Sequence, residues 1–237
     1  MAAQCRLPAK VIAYEGIKRD ILVLKRPPGS SLEEGELCAA YDLSRTPLRE
    51  VLQQLAGEGY VTLHQNRGAR VSDMSHVTVR DFFLAAPLVY SAIMRLAARN
   101  ATTEQIGALK AAQAAFRQAV ESGGTADRAL TNDAFHRITG DMAGNQYLTI
   151  SLERLLIDHT RIAMTFFEPA TDEQVGRHDL ACRQHDAMID ALQNRDEERA
   201  AALALEHWAL SRDQIERFVM PDGLSGDLGE LPKQNSA

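Results

Sequence analysis

Strand-forming alternation stops at Val71 in this chain and does not return. From Val77 onward apolar residues recur at helical spacing, in alanine-rich segments over 77–99, 103–121, 125–142, 145–167, 172–194 and 196–218. Breaks fall at Asn100-Ala101-Thr102, Ser122-Gly123-Gly124, Ala143-Gly144, Pro169 and Asn194-Arg195-Asp196. Amphipathic helices joined by such short connections bury their apolar stripes against one another, so residues 77–220 are expected to form an all-helical bundle. The tail over 221–237 is rich in Gly, Pro, Asp and Ser and is expected to be disordered, and residues 1–10 to be flexible.

The first 72 residues read differently. Val11 to Leu24 has apolar residues at helical spacing and stops before the breaker Pro27-Pro28-Gly29-Ser30. Glu34 to Tyr41 makes a short helix, and Asp42-Leu43-Ser44 is a tight connection. Thr46 to Glu58 is a second helix, with Ser44 placed to cap it, Pro47 in its first turn, and Leu48, Val51, Leu52 and Leu55 as its apolar stripe. Gly57 and Gly59 end it; Tyr60 to Leu63 and Ala69 to Val71 are strands about the Asn66-Arg67-Gly68 turn. Helix, helix, short turn, helix and two-stranded hairpin make a winged helix-turn-helix over 11–72, followed by a linker at 73–76. The fold class is thus mainly α: a winged helix-turn-helix, then a helical bundle.

The net charge of −6 argues against a nucleic-acid partner until it is divided along the chain. Residues 1–72 carry 10 Lys and Arg against 8 Asp and Glu, a net +2; residues 73–237 carry 16 against 24, a net −8. An anionic partner is therefore expected for the first part alone. Cys5, Cys38 and Cys182 are few and scattered, as in a reduced cytosolic protein. The strongly apolar stretch Leu84–Met94 is too short to span a bilayer and no secretory signal opens the chain, so a cytoplasmic protein without a membrane partner is expected.

The stretch Leu43-Ser44-Arg45-Thr46-Pro47-Leu48-Arg49-Glu50-Val51, continuing to Gly57-Glu58-Gly59-Tyr60-Val61, resembles the signature of GntR-family transcriptional regulators. Pro28-Gly29 and Leu32 before it and Arg67-Gly68-Ala69-Arg70-Val71 after it agree. Its physical reading is a recognition helix whose first turn presents Arg45, Thr46 and Arg49 on one face. Arg49 is expected to contact a base, Arg45 a base or phosphate, and Thr46 a phosphate. Gly68 lets the wing tip approach the minor groove, with Arg67 and also His64 or Arg70 near the backbone. Glu34 and Glu50 are expected to support local hydrogen bonds. Relatives often carry an Arg where this chain has Gly35.

The helical part holds a second pattern. Asn132 and His136 share a helix face at i, i+4, with Asp133 in the same turn. His185 and His207 lie on two later helices at similar distances from the turn between them, so an antiparallel pair points both at one spot. Three imidazoles and one oxygen make a metal site, with Zn²⁺ first and Ni²⁺, Mn²⁺ or Cu²⁺ as alternatives. Cys182 is a weaker candidate ligand, and His159 and His178 are expected to be solvated. Phe135-His136 with Gly144-Asn145, His185-Asp186 with Ile189, Ala191-Leu192 and Arg195-Asp196, and then His207, resemble the FCD subfamily of GntR regulators. That resemblance implies an Asp or Asn plus three His as metal ligands: Asn132 by register, or Asp133 one place off. It also implies a small-molecule effector, in some cases a carboxylate. Relatives carry an Arg and a Glu where this chain has Ala86 and Tyr90. Either the effector differs, or Arg154 or Arg161 supplies the charge.

Taken together these residues describe a homodimeric regulator, with repression the commoner outcome, that binds double-stranded operator DNA under effector control. A metal-dependent hydrolase using the His cluster and a purely structural metal are the alternatives. No catalytic signature accompanies the histidines, so no enzyme is expected.

Overall fold

The structure, a computed structural model, describes residues 8–64, 68–168 and 172–219. The sequence-based expectations for residues 1–7, for Arg67 and for the tail beyond Val219 lie outside these. Three helices, α1 (Ala9–Leu22), α2 (Glu34–Tyr41) and α3 (Arg45–Glu58), pack with strands β1 (Ser31–Leu32), β2 (Val61–His64) and β3 (Gly68–Val71). The stripe Leu48, Val51, Leu52 and Leu55 closes on Ile17 and Ile21 of α1 and Leu37 of α2, all buried. Helix α3 stops at Gly59, whose φ of 90° is open to glycine and strained for other residues. The sheet has order β1-β3-β2 and is antiparallel, with Leu32 opposite Ala69 and Val61 opposite Val71. Strand β1 is absent from the sequence reading. Two residues are too few to show alternation, and Ser31–Leu32 is extended because the free edge of β3 supplies its partner groups.

The second part consists of α4 (His76–Asn100), α5 (Thr103–Ser122), α6 (Thr125–Ala143), α7 (Gln146–Phe166), α8 (Asp172–Gln193) and α9 (Glu197–Val219). The sequence-predicted bounds agree to within one residue at each end. Thr102 caps α5 with Gln105 in a capping box, and Asn145 caps α7 from its Oδ1. Helix α4 continues through Pro87. It is long and apolar enough to cross a bilayer, which corrects the shorter Leu84–Met94 reading. Its Phe82, Ala86, Tyr90, Ile93, Met94 and Ala97 instead form the centre of the bundle against α6, α7 and α9. At the α8–α9 turn, Arg195 donates to the carbonyls of Ala98, Arg99 and Ala101, satisfying the end of α4.

Helix α7 joins the two parts. Its Ile157 is fully buried in the core of the winged domain. Four residues on, Arg161 is also fully buried and donates to the carbonyl of Ser72 at 3.1 Å and to its hydroxyl at 2.8 Å.

Candidate functional site

With its apolar stripe turned inward, α3 exposes Ser44, Arg45, Thr46 and Arg49. Ser44 has the backbone of an N-cap, φ −76° and ψ 166°, but its hydroxyl accepts no capping hydrogen bond, contrary to the sequence reading. The cause is local. An N-cap oxygen bonds the N–H of the second or third helical residue, and the third is Pro47, which has none. Arg49 donates from Nε to both carboxylate oxygens of Glu34, at 2.9 and 3.2 Å, and Lys10 donates to Glu50 at 2.6 Å. The two glutamates thus tie the helices together, as expected. Arg45, Arg49 and Gln53 line one wall of a groove of about 740 Å³, His64 and Gly68 of the wing line another, and Glu33, Glu34 and Gly35 border it. Gly68 has φ 72°, and a side chain at Gly35 would meet open space.

The second site lies inside the bundle. One ligand atom each from His136 on α6, His185 on α8 and His207 on α9 fall within 4.8 Å of one another. All three side chains are buried. Nε2 of His185 and Nε2 of His207 are 3.2 Å apart, the outcome expected of helices folding back on each other. The opposite ring nitrogens are held by amides: Nδ1 of His185 lies 2.9 Å from Gln113 Oε1, and Nδ1 of His207 lies 3.0 Å from Gln184 Oε1. With both Nδ1–H groups donating to these oxygens, the two Nε2 lone pairs face each other. Nε2 of His136 and Oδ1 of Asn132 are buried without a hydrogen-bond partner. Neighbouring Asp133 is already engaged, accepting from Arg137 Nε at 2.6 Å and from the Thr160 hydroxyl at 2.8 Å. The donor set therefore fits a metal ion through three imidazoles, with Asn132 rather than Asp133 as the oxygen with no other partner. Burial holds His136 and His185 well below the usual imidazole range and pushes His207 down to about 3, so all are neutral and ligand-ready at pH 7.

His159 and His178, expected to be solvated, are buried. His159 follows Leu152 and Leu156 on the inward face of α7, a stripe that marked it as a core position. Its Nδ1 is 2.6 Å from the Tyr90 hydroxyl, its ring centroid is 5.0 Å from that of His136, and burial pushes it down to about 4. Tyr90, Met94, His136, His159, Met188 and Trp208 surround a cavity of about 10 Å³, room for roughly one water. Neither Arg154 nor Arg161 lines it. Arg161 is bonded to Ser72 and to Asp158 at 3.3 Å, and the Arg154 side chain lies over Gly59. Cys182 is buried near the cluster without joining it; its carbonyl accepts from Gln113. Gln113 escaped the sequence reading, although a polar residue between Leu109 and Phe116 on a buried stripe was its signal.

Residues 10–71 match the family described as bacterial regulatory proteins, gntR family, and residues 88–210 match the FCD domain. The HTH-type transcriptional repressor RspR of Escherichia coli K12 is 27% identical over 200 residues, covering 84% of this chain and 86% of that protein. The Nta operon transcriptional regulator of Aminobacter aminovorans is 29% identical over 212 residues, covering 88% and 93%. Among solved structures, E. coli McbR/YncC superposes with a TM-score of 0.72 at 16% identity, covering 89% of this chain and all of that one. A putative GntR regulator from Rhodococcus sp. RHA1 follows at TM-score 0.65 and 16% identity, covering 90% and 99%.

Proposed function

Because the chain belongs to the GntR family of bacterial regulatory proteins and carries an FCD domain, we propose that it acts as a homodimeric repressor whose operator binding is set by an effector at a metal centre in the helical domain. The observation that carries the DNA half is the exposed opening turn of α3, with Arg45, Thr46 and Arg49 beside a groove closed by the wing. Arg49 is held at Nε by Glu34, which suits its terminal nitrogens to guanine O6 and N7; Arg45 and Thr46 suit phosphates, and Ser44, freed from capping, adds a hydroxyl. Gly68, at φ 72°, suits a close approach of the wing to the minor groove, and Arg67 precedes it in the sequence.

The sensing half rests on His136, His185, His207 and Asn132. Three imidazoles and an amide oxygen favour Zn²⁺, with Ni²⁺, Mn²⁺ or Cu²⁺ as alternatives that metal analysis distinguishes. When bound, the ion would supply a fixed positive charge, held by those three imidazoles and the Asn132 oxygen, toward which an anionic effector group would be drawn. Tyr90 stands in the cavity wall and, among the described residues, no arginine lines it, so that charge would take the part an arginine plays toward a carboxylate. Helix α7 supports coupling: His159 lines the cavity, while Thr160 bonds Asp133, Arg161 bonds Ser72, and Arg137 links Asp133 to the Tyr60 hydroxyl at 3.3 Å. Dimerisation is supported by an exposed apolar stripe on α4, Val77, Leu84 and Leu88. One winged domain buries modest area on DNA, and a dimer doubles it over two half-sites.

Selection of duplexes from a random-sequence pool tests the reading. The chain is expected to enrich a two-fold symmetric site with half-sites about one turn apart. Arg49→Ala is expected to weaken binding to that duplex about 10- to 100-fold while circular dichroism stays unchanged. Failure to enrich any sequence, or an unaffected variant, refutes it.

A further inference from the structure

Gln113 is buried to 4% exposure on α5, a helix that carries none of the candidate ligands. Its amide is fully engaged: Nε2 donates to the Cys182 carbonyl at 2.9 Å and to Asp186 Oδ1 at 3.0 Å, and Oε1 lies 2.9 Å from His185 Nδ1. The two donor bonds settle which end of the amide is oxygen, because neither a carbonyl nor a carboxylate can donate in return. Asp186 is itself tied to Arg117, one turn along α5 from Gln113. Around the ring of His185, Phe135 stacks at 3.8 Å between centroids with 5° between planes, and Phe116 packs at 5.0 Å.

We propose that Gln113 is a positioning residue for the metal centre: it fixes His185 as the Nδ1–H tautomer, so that the Nε2 lone pair faces the cluster. The inference rests on the metal reading above and goes beyond it by naming what aims the ligand. A ring nitrogen can bind an ion only through its lone pair, and the proton on an imidazole sits wherever an acceptor holds it. The aromatic stack sets the ring plane, and the amide sets the rotation and the proton within that plane. The Asp186–Arg117 pair then keeps the amide from turning over, since a flipped Gln113 would face a carboxylate with its own oxygen.

The test uses nitrogen-15 NMR of the histidine rings in metal-free full-length protein, together with zinc titration. His185 is expected to be protonated at Nδ1. Gln113→Met, of similar length but lacking an amide oxygen, is expected to lose that tautomer and to bind zinc about 10- to 100-fold more weakly. Gln113→Glu combined with Asp186→Asn, whose amide can donate to the second carboxylate oxygen, keeps an oxygen acceptor and is expected to keep the Nδ1–H signature, which a purely space-filling role would not require. A wild-type His185 protonated at Nε2 overturns the proposal. So does a folded Gln113→Met variant with unchanged zinc affinity. A wild-type chain that binds no zinc while His185 is protonated at Nδ1 overturns the metal reading and leaves the tautomer assignment standing.

Discussion

Ser44 shows how one neighbour changes what a residue does. A serine at an N-cap normally contributes about 1 kcal/mol through its hydroxyl. Here Pro47 removes one of the two N–H groups it could bond, and no capping bond forms. Ser44→Ala is therefore expected to change unfolding free energy by less than about 0.5 kcal/mol in urea titrations, yet to weaken duplex binding. A loss of about 1 kcal/mol or more would show that the cap forms. Gly35 offers the opposite experiment. Open space surrounds it at the groove, so Gly35→Arg is expected to fold normally and to tighten binding to a random-sequence duplex. The slope of log affinity against log salt should steepen by about 0.9 for one added phosphate contact; an unchanged slope would place Gly35 away from the backbone.

The buried histidines also act singly, through their protons. Burial pushes His159 to about 4 and His207 to about 3, from 6.5 in an unfolded chain. Between those limits the unfolded chain binds more protons, so stability is fully present above about pH 6.5 and is lost as pH falls toward 4. The urea midpoint of metal-free protein is expected to be level from about pH 7 to 8 and to drop steadily below 6.5. A midpoint that stays flat down to pH 5 would mean that these rings meet water.

At the scale of elements, α7 decides how the domains are joined. Arg161 is a fully buried guanidinium, and Asp158 beside it is also buried, with burial raising its carboxyl above the usual range. Removing one partner strands the other. Arg161→Leu is expected to lower stability by about 3–5 kcal/mol in chemical denaturation, and adding Asp158→Leu to recover part of the loss. Equal stability of the single and double variants would show that the pair does not couple. The helices themselves were legible because Asn, Gly and Pro punctuate a strict apolar period. The short β1 was not, because its partner strand lies far along the chain, with Ala69 opposite Leu32, a separation no local pattern encodes.

For the whole molecule, the stripe of Val77, Leu84 and Leu88 is the exposed apolar feature that a dimer would cover. Leu84→Glu with Leu88→Glu is expected to halve the mass seen by sedimentation equilibrium and to abolish two-half-site binding, with helix content unchanged. A wild-type chain with the mass of a single copy would refute the proposed dimer, and a dimer mass unaltered in the variant would place its contact elsewhere.

The order of the two parts and the helix bounds follow from local rules of spacing and breaking, which a sequence carries along its length; the opening turn of α3 and the three cluster histidines stand out only with the family resemblance, since spacing alone does not separate those histidines from His159 and His178. Folding alone decided what those residues meet. It put His159 and Gln113 beside the cluster, gave the free oxygen to Asn132 by engaging Asp133 with Arg137 and Thr160, and drew Arg161 to the domain joint rather than the cavity. Each of those outcomes depends on partners from other helices, and the choice among buried partners is made by close packing and by the cost of leaving a polar group unpaired.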